Sequence, residues 1–281
     1  MRVFLNGRVI PEEQALVPLT DRGLLYGDGL FETLRVRRGR PAWWERHLAR
    51  FTKGAAYLRI QLPYSAQELW AAAHELIRIN EMPEAVLRIT LTRGVGVRGY
   101  SPKNTPQPTL AMMLHPVTPA PTAVRLVTSS HRVAVNDALA SHKTSNKLLA
   151  VLARAEADDA GADEALILNT DGDVAESAAG NVFWLEPSVV CTPDLSCGVL
   201  AGVMRGVVLE TCRERGWPVA EKRSKPEALH QAEGVFLTNS VAGIMPVSSL
   251  DGRAVRSSQR IATLQEALTT KELSELAHGR R

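Results

Sequence analysis

Residues 115–122 read HPVTPAPT, and this stretch constrains the fold more than any other. Pro116, Pro119 and Pro121 have no N–H to give to a sheet ladder and hold the backbone extended, so neither a helix nor a central strand runs through them. On both sides the chain mixes strand-like and helix-like segments. The pattern predicts an N-terminal α+β domain over 1–115, a linker over 116–122 and a C-terminal α/β domain over 123–281. A length of 281 residues agrees with two domains, since single cores rarely grow beyond about 250 residues.

The first half opens on FLNGRVI, where Asn6-Gly7 tolerates positive φ at both central positions of a hairpin turn. LFETLRVRRGRPAW reads as strand, Gly39 turn and strand, and WERHLARFTKGAAYL as a helix with Leu48, Phe51 and Ala55 on one face. SAQELWAAAHELIRIN opens on a Ser65-x-x-Glu68 capping box. AVLRITLTR and TLAMMLHP are strands joined by the glycine-rich loop RGVGVRGYSPKNTPQP. In the second half AVRLVTS, EALILNTDGDVAE, NVFWL, SVVCTP, GVFLTNS and IMPVSSLDGRAV supply strands, with a hairpin turn at Asp171-Gly172. NKLLAVLARAEADDAG and GVMRGVVLETCRERG read as helices ended by Gly161 and Gly216, and the tail also reads as a helix.

Composition narrows the function classes. The 33 basic and 30 acidic residues are dispersed, giving a net charge of +3 without a basic block, which argues against nucleic-acid binding. The start MRVFLNGRVI lacks an apolar core with a cleavage site, and no apolar run reaches the roughly 18 residues of a spanning helix, so a cytoplasmic protein with no membrane contact is expected. Cys191, Cys197 and Cys212 lack paired spacing and read as buried free thiols, with no metal implied.

Residues 141–147, SHKTSNK, place two lysines where a loop meets a helix. With Thr144 or Ser145 capping, Lys147 falls in the first turn, opposite Leu148, Leu149, Leu152 and Ala155, and reads as solvated. Lys143 lies before the cap, as either a surface lysine or a nucleophile. An aldehyde cofactor such as pyridoxal phosphate needs a lysine for covalent attachment, a group at its pyridine nitrogen and an anion site for its phosphate. Glu176, followed by the small residues SAAGN, is a carboxylate that a flat ring could approach. Gly202 opens a helix whose free N–H groups attract anions, with Arg50 and Ser240 as further phosphate partners.

Taken together, DRGLLYGDGLFETLRV, RHLARF, HKTSNKLL, ADEALILNTDGDVAESAAGNVFWL, TPDLSCGVLAGVMRG and FLTNSVAGIMPV resemble, in order, the motifs of the class IV, or fold type IV, pyridoxal-phosphate enzymes. These include branched-chain and D-amino-acid aminotransferases and 4-amino-4-deoxychorismate lyase. The resemblance implies a two-domain fold mixing α/β and α+β parts, like D-amino-acid aminotransferase, with pyridoxal 5'-phosphate in the interdomain cleft, and a homodimer. It implies that Lys143 is the Schiff-base lysine, Glu176 the partner of the pyridine nitrogen, and Arg50, Val203, Met204 and Ser240 the phosphate site. Many relatives carry threonine in place of Met204. Asn181 matches a supporting position.

Within the family, TRGVGVRGYS at 92–101 resembles the lyase loop. Lys147 stands where branched-chain enzymes carry tyrosine, and Arg98 and Tyr100 where D-amino-acid enzymes carry arginine and histidine. The expectation is therefore a lyase converting 4-amino-4-deoxychorismate to 4-aminobenzoate and pyruvate in folate biosynthesis. Arg93, Arg98 and Tyr100 are its candidate substrate-binding residues. The alternative is an aminotransferase for a branched-chain or D-amino acid; a silent binding protein would more naturally lack Lys143 or Glu176.

Overall fold

A computed structural model describes residues 1–105 and 107–278. The chain divides into two compact units, and the break between Thr118 and Pro119 falls inside the proline-rich segment. The first unit holds Met1–Thr118, His142–Asn146 and the chain end from Ser274; the second holds Pro119–Ser141 and Lys147–Leu273. Lys143 thus belongs to the first unit, not to the second where the linear reading put it. The reason is backbone pairing: Phe31 N donates to Lys143 O at 3.0 Å and Ser145 N to Gly29 O at 2.9 Å.

The first unit contains β1 (Arg2–Leu5), β2 (Arg8–Pro11), α1 (Arg22–Tyr26), β3 (Gly29–Arg37), β4 (Arg40–Pro41), α2 (Trp44–Leu58), α3 (Ala66–Ile79), β5 (Ala85–Thr92) and β6 (Thr109–His115). Its sheet is antiparallel in the order β2-β1-β6-β5-β3-β4. Asn6 and Gly7 both have positive φ, as the first hairpin requires, and the Ser65–Glu68 capping box starts α3. Leu34 and Val36 of β3 share one core with Leu87, Ile89 and Leu91 of β5, Phe51 and Ala55 of α2, and Leu69, Ala73 and Leu76 of α3. Alternation along β3 puts Leu30, Glu32, Leu34 and Val36 on that face and leaves Phe31, Thr33 and Arg35 on the other.

The second unit contains β7 (Val124–Val133), α4 (Leu148–Asp159), β8 (Glu164–Asn169), β9 (Val174–Ser177), β10 (Asn181–Leu185), β11 (Val190–Thr192), α5 (Val203–Glu214), β12 (Val219–Glu221), α6 (Glu227–Gln231), β13 (Gly234–Asn239), β14 (Gly243–Leu250), β15 (Arg253–Ala254) and α7 (Gln259–His278), whose last turns group with the first unit. The strands run in the order β12-β11-β10-β13-β14-β7-β8-β9, and β9 pairs back onto β10, closing a barrel. Closure leaves neither β9 nor β10 as an open edge.

The inward face of α4 differs from the expected one. Ala153 and Ala157, with Leu149 beside them, pack on Ala165 and Ile167, while Leu148 (65% exposed) and Leu152 (43%) face outward and Ala155 is exposed. The run LLAVLARA is apolar nearly all round, so its period does not choose a face; the alanines win because they let the helix lie close to the strands. Lys147 is itself the N-cap, half-buried, and neither Thr144 nor Ser145 caps the helix. The three cysteines are buried free thiols, and burial pushes Cys191 and Cys212 up to about 11. Among the described residues no helix is long and apolar enough to cross a membrane, and no cluster could hold a metal ion.

Candidate active site

The residues singled out from sequence divide between the units. Arg50, Arg93, Arg98, Tyr100 and Lys143 lie in the first; Glu176, Val203, Met204 and Ser240 lie in the second.

Lys143 is held by its neighbours. His142 is buried and stacks on Tyr57 with ring centroids 4.1 Å apart, and Thr144 bridges to Leu30. These contacts fix the backbone at Lys143, whose Nζ sits 4.7 Å from the centre of the Phe31 ring. Lys143 is thus half-buried, with its backbone pinned and its side chain lying on an aromatic face.

Beside it, on the core face, lies a buried charge cluster that the sequence reading missed. Arg50 donates to Glu32 through Nε (2.8 Å) and Nη2 (2.6 Å), and His47 Nδ1 lies 2.7 Å from the same carboxylate. Burial alone would raise Glu32, but the bonds from Arg50 and His47 outweigh it and bring the carboxyl down to about 2. Burial lowers His47, and the positive charges of Arg50 and Lys143 add to that, outweighing the opposite pull of Glu32. His47 is therefore neutral and donates Nδ1–H to an ionised Glu32, while its Nε2 is buried with no hydrogen-bond partner. The edge of Arg50 formed by Nε and Nη2 is committed to Glu32. A signal for Glu32 existed: a glutamate on the apolar phase of β3 requires a buried cationic partner, and His47 and Arg50 stand three apart on the facing helix.

Arg93 has a structural task. Its guanidinium donates to both Asp28 oxygens (2.8 and 3.0 Å) and to the carbonyls of Leu58 (2.7 Å) and Arg59 (3.1 Å), at the end of α2. Arg22 shares Asp28 and also donates to the carbonyls of Gly99 (2.7 Å) and Tyr100 (3.2 Å). With Gly99 N donating to the Tyr26 hydroxyl at 3.1 Å, α1 anchors the loop 92–101. At its tip the Arg98 side chain is exposed and Tyr100 is 87% exposed, leaning edge-on against Tyr26.

In the second unit, Glu176 and Asn181 are the paired residues of the β9–β10 closure. Leu200 N donates to Glu176 Oε2 at 3.1 Å, and Asn181 Nδ2 donates to Leu200 O at 2.9 Å and more weakly to Glu176 Oε2 at 3.4 Å. This ties the carboxylate to the turn that starts α5. Gly202 is the N-cap with no side-chain cap bond, and a Cβ there would lie 2.0 Å from Asn181 Oδ1. The first turn, at Val203 and Met204, thus follows a glycine against which Asn181 packs so closely that a side chain there must displace the asparagine or the turn. Ser240 follows β13, and Thr238, two residues before it, has a buried Oγ1 without a partner. Thr238 was missed, and nothing in the sequence marks it.

The first unit offers a lysine with a pinned backbone, and the second a carboxylate held by N–H donors and an uncapped helix start; these are the residue types that pyridoxal phosphate uses. The comparisons agree. The family model "Amino-transferase class IV" matches residues 29–250. A putative branched-chain-amino-acid aminotransferase of Methanocaldococcus jannaschii is 34% identical over 92% of this chain and 91% of its own. A D-alanine aminotransferase of Bacillus licheniformis is 31% identical over 99% of both. Among solved structures, 4-amino-4-deoxychorismate lyase from Pseudomonas aeruginosa superposes with a TM-score of 0.84 at 36% identity, covering 95% of this chain and 98% of that one. A branched-chain aminotransferase from T.th., solved with pyridoxamine 5'-phosphate, gives 0.90 at 27% identity over 100% and 95%. The chain therefore belongs to the class IV aminotransferase family, with the fold type IV architecture and with pyridoxal phosphate as the family's cofactor.

Proposed function

We propose that the protein is a pyridoxal-phosphate-dependent lyase that converts 4-amino-4-deoxychorismate to 4-aminobenzoate and pyruvate, a cytoplasmic homodimer serving folate synthesis. The observation that carries this reading is the loop TRGVGVRGYS at 92–101, which has the lyase pattern and is anchored by Arg22 and Tyr26 so that Arg98 and Tyr100 are presented at its tip.

Lys143 would attach the cofactor, Glu176 would hold its pyridine nitrogen protonated, and Arg50, the Val203 and Met204 N–H groups and Ser240 would receive the phosphate. When bound, the cofactor supplies an electron sink that acidifies the ring C–H beside the substrate's amine. Lys143 Nζ, released from the cofactor when the substrate's amine takes its place, would take that proton as general base. The bond to the enolpyruvyl oxygen then breaks, the ring becomes aromatic, and the released enol becomes pyruvate. Arg98, with Tyr100, would meet one of the substrate's two carboxylates. The outward Leu148, Val151 and Leu152 of α4, three residues at helical spacing, support a homodimer.

The alternative, a branched-chain or D-amino-acid aminotransferase, has the support of the relatives carrying those names. One experiment separates the two. Incubated with enzymatically generated aminodeoxychorismate and no oxo acid, the enzyme should form 4-aminobenzoate and pyruvate in equal amounts over many turnovers. A strict requirement for 2-oxoglutarate, or conversion of the cofactor to its aminated form by leucine or D-alanine with no aminobenzoate formed, would establish the aminotransferase instead.

A further inference from the structure

The loop between β5 and β6 is folded around a buried arginine. Its base is held by Asp21, the N-cap of α1, which is fully buried and accepts from the hydroxyl of Thr92 at the end of β5 (2.9 Å) and from that of Thr109 at the start of β6 (2.7 Å). Its tip is held by Arg22, the next residue. Arg22 N donates to Gly94 O at 2.9 Å, and the side chain, 3% exposed, runs so close to Gly96 that a Cβ there would lie 2.8 Å from its Cδ. Beyond that point the guanidinium is shared among three acceptors: Nε donates to Asp28 Oδ2, Nη1 to the carbonyl of Gly99 and Nη2 to that of Tyr100.

Asp28 is also gripped by Arg93, which reaches the last turn of α2, so the loop tip and the end of that helix share one carboxylate. The Tyr26 hydroxyl accepts from Gly99 N at 3.1 Å, its ring takes the Tyr100 ring edge-on, and the Arg22 guanidinium lies 4.8 Å from its centre. Gly99 and Tyr100 are therefore fixed through one N–H and two consecutive carbonyls. Arg98, the residue before them, has an exposed side chain. A guanidinium buried as deeply as that of Arg22 needs every acceptor it has, because a charge left short of partners out of water is costly. Moving the tip would take away two of its three acceptors, so the loop is held in one conformation before any ligand arrives.

We infer that Arg22 is a positioning residue of the substrate loop, which by fixing the carbonyls of Gly99 and Tyr100 sets the direction in which Arg98 leaves the backbone and so aims its guanidinium at a carboxylate of the small-molecule substrate. The inference rests on the lyase reading for the identity of that substrate and on the role given there to Arg98. Arg22, being enclosed, acts only through Arg98. Ordering the loop in advance removes an entropy cost from binding, so the loss of Arg22 is felt in substrate affinity. The competing role is architectural, a buried ion pair that merely holds α1 in the first unit.

A double-mutant cycle separates the two roles. On holoenzyme, affinity for chorismate, which carries both carboxylates but lacks the reacting amine, should fall about 10-fold in Arg22→Met and about 10-fold in Arg98→Ala, and no further in the double variant. A residue that acts through Arg98 loses its effect once Arg98 is gone. Arg22→Lys, which keeps a donor for one carbonyl, should recover part of the affinity, and the visible cofactor band should be the same in every variant. Unchanged chorismate affinity in either single variant, or losses that multiply to about 100-fold in the double variant, would overturn the inference. If Arg22→Met does not fold, Tyr26→Phe, which removes only the hydroxyl bonded to Gly99 N, takes its place in the cycle. It should cost about 3-fold in chorismate affinity in the wild-type background and nothing beside Arg98→Ala, and unchanged affinity or an equal loss in both backgrounds counts against the role. Failure of the wild-type enzyme to form 4-aminobenzoate would refute the lyase reading alone. The same cycle, read on the KM for the 2-oxo acid that an aminotransferase requires, then decides the role of Arg22.

Discussion

Glu176 and Asn181 face each other where the second unit's barrel closes, and Asn181 bonds the carbonyl of Leu200 while the Leu200 N–H bonds Glu176. The carboxylate proposed to serve the cofactor ring and the turn proposed to serve its phosphate are thereby one hydrogen-bonded assembly. Glu176→Gln keeps the shape and removes the charge. We expect the variant to bind cofactor and to turn over on the order of 100-fold more slowly, because the ring nitrogen is no longer held protonated by an ion pair. Unchanged turnover in a steady-state assay would remove Glu176 from the chemistry.

Gly202→Ala tests the other end of that assembly. A methyl group 2.0 Å from Asn181 Oδ1 must displace either the asparagine or the turn. The expected result is at least a roughly 10-fold weaker affinity for pyridoxal phosphate, measured by titrating apoprotein. Gly206→Ala, in the same helix with nothing near its added Cβ, should bind normally.

The two lysines of SHKTSNK predict opposite spectra. Lys143→Ala should lose the visible absorption of lysine-bound cofactor and nearly all turnover, while Lys147→Ala should keep the band. The reverse pattern would show that the chemical lysine has been misassigned.

Glu32 makes stability depend on acid. Its carboxyl titrates near 2 in the folded protein against 4.5 as the ordinary value. Its contribution is therefore fully present above about 4.5 and is lost as the pH falls through about 2. Glu32→Gln leaves Arg50 without its buried counter-charge and should cost about 3–5 kcal/mol near neutrality. Melting curves from pH 7 to 2 should show wild type losing more of its stability than Glu32→Gln. Parallel curves would contradict the assignment.

Arg93 and Arg98 should separate by readout. Arg93→Gln breaks the ties to Asp28 and the end of α2, and should lower stability by about 1–3 kcal/mol. Arg98→Ala, altering an exposed side chain, should leave the melting temperature alone and raise KM. A pure KM effect at Arg93 would return it to substrate binding.

The elements of both units were legible in the sequence wherever local rules were strong. The Asn6-Gly7 hairpin, the Ser65–Glu68 box, the alternation of AVLRITLTR and the proline-rich break each depend on residues only a few positions apart. Lys143, Glu176 and Gly202 stood out because their residue types suit one cofactor at motif spacing. Tertiary structure alone decided the rest. The buried face of α4 was undetermined, because a helix apolar all round carries no phase until the strands beneath it select the alanines. Lys143 joined the first unit through backbone bonds to β3, more than 100 positions away in the chain, and backbone pairing of that range leaves no trace in side-chain pattern. Arg93 and Arg88 are both strand-end or strand arginines with glycine or apolar neighbours, indistinguishable by composition. One is enclosed by Asp28 and two carbonyls and the other faces an aromatic ring without an anion. That difference lies in what the fold brings within about 4 Å of each guanidinium, because charge–charge and hydrogen-bond energies depend on distance in space and not on separation along the chain.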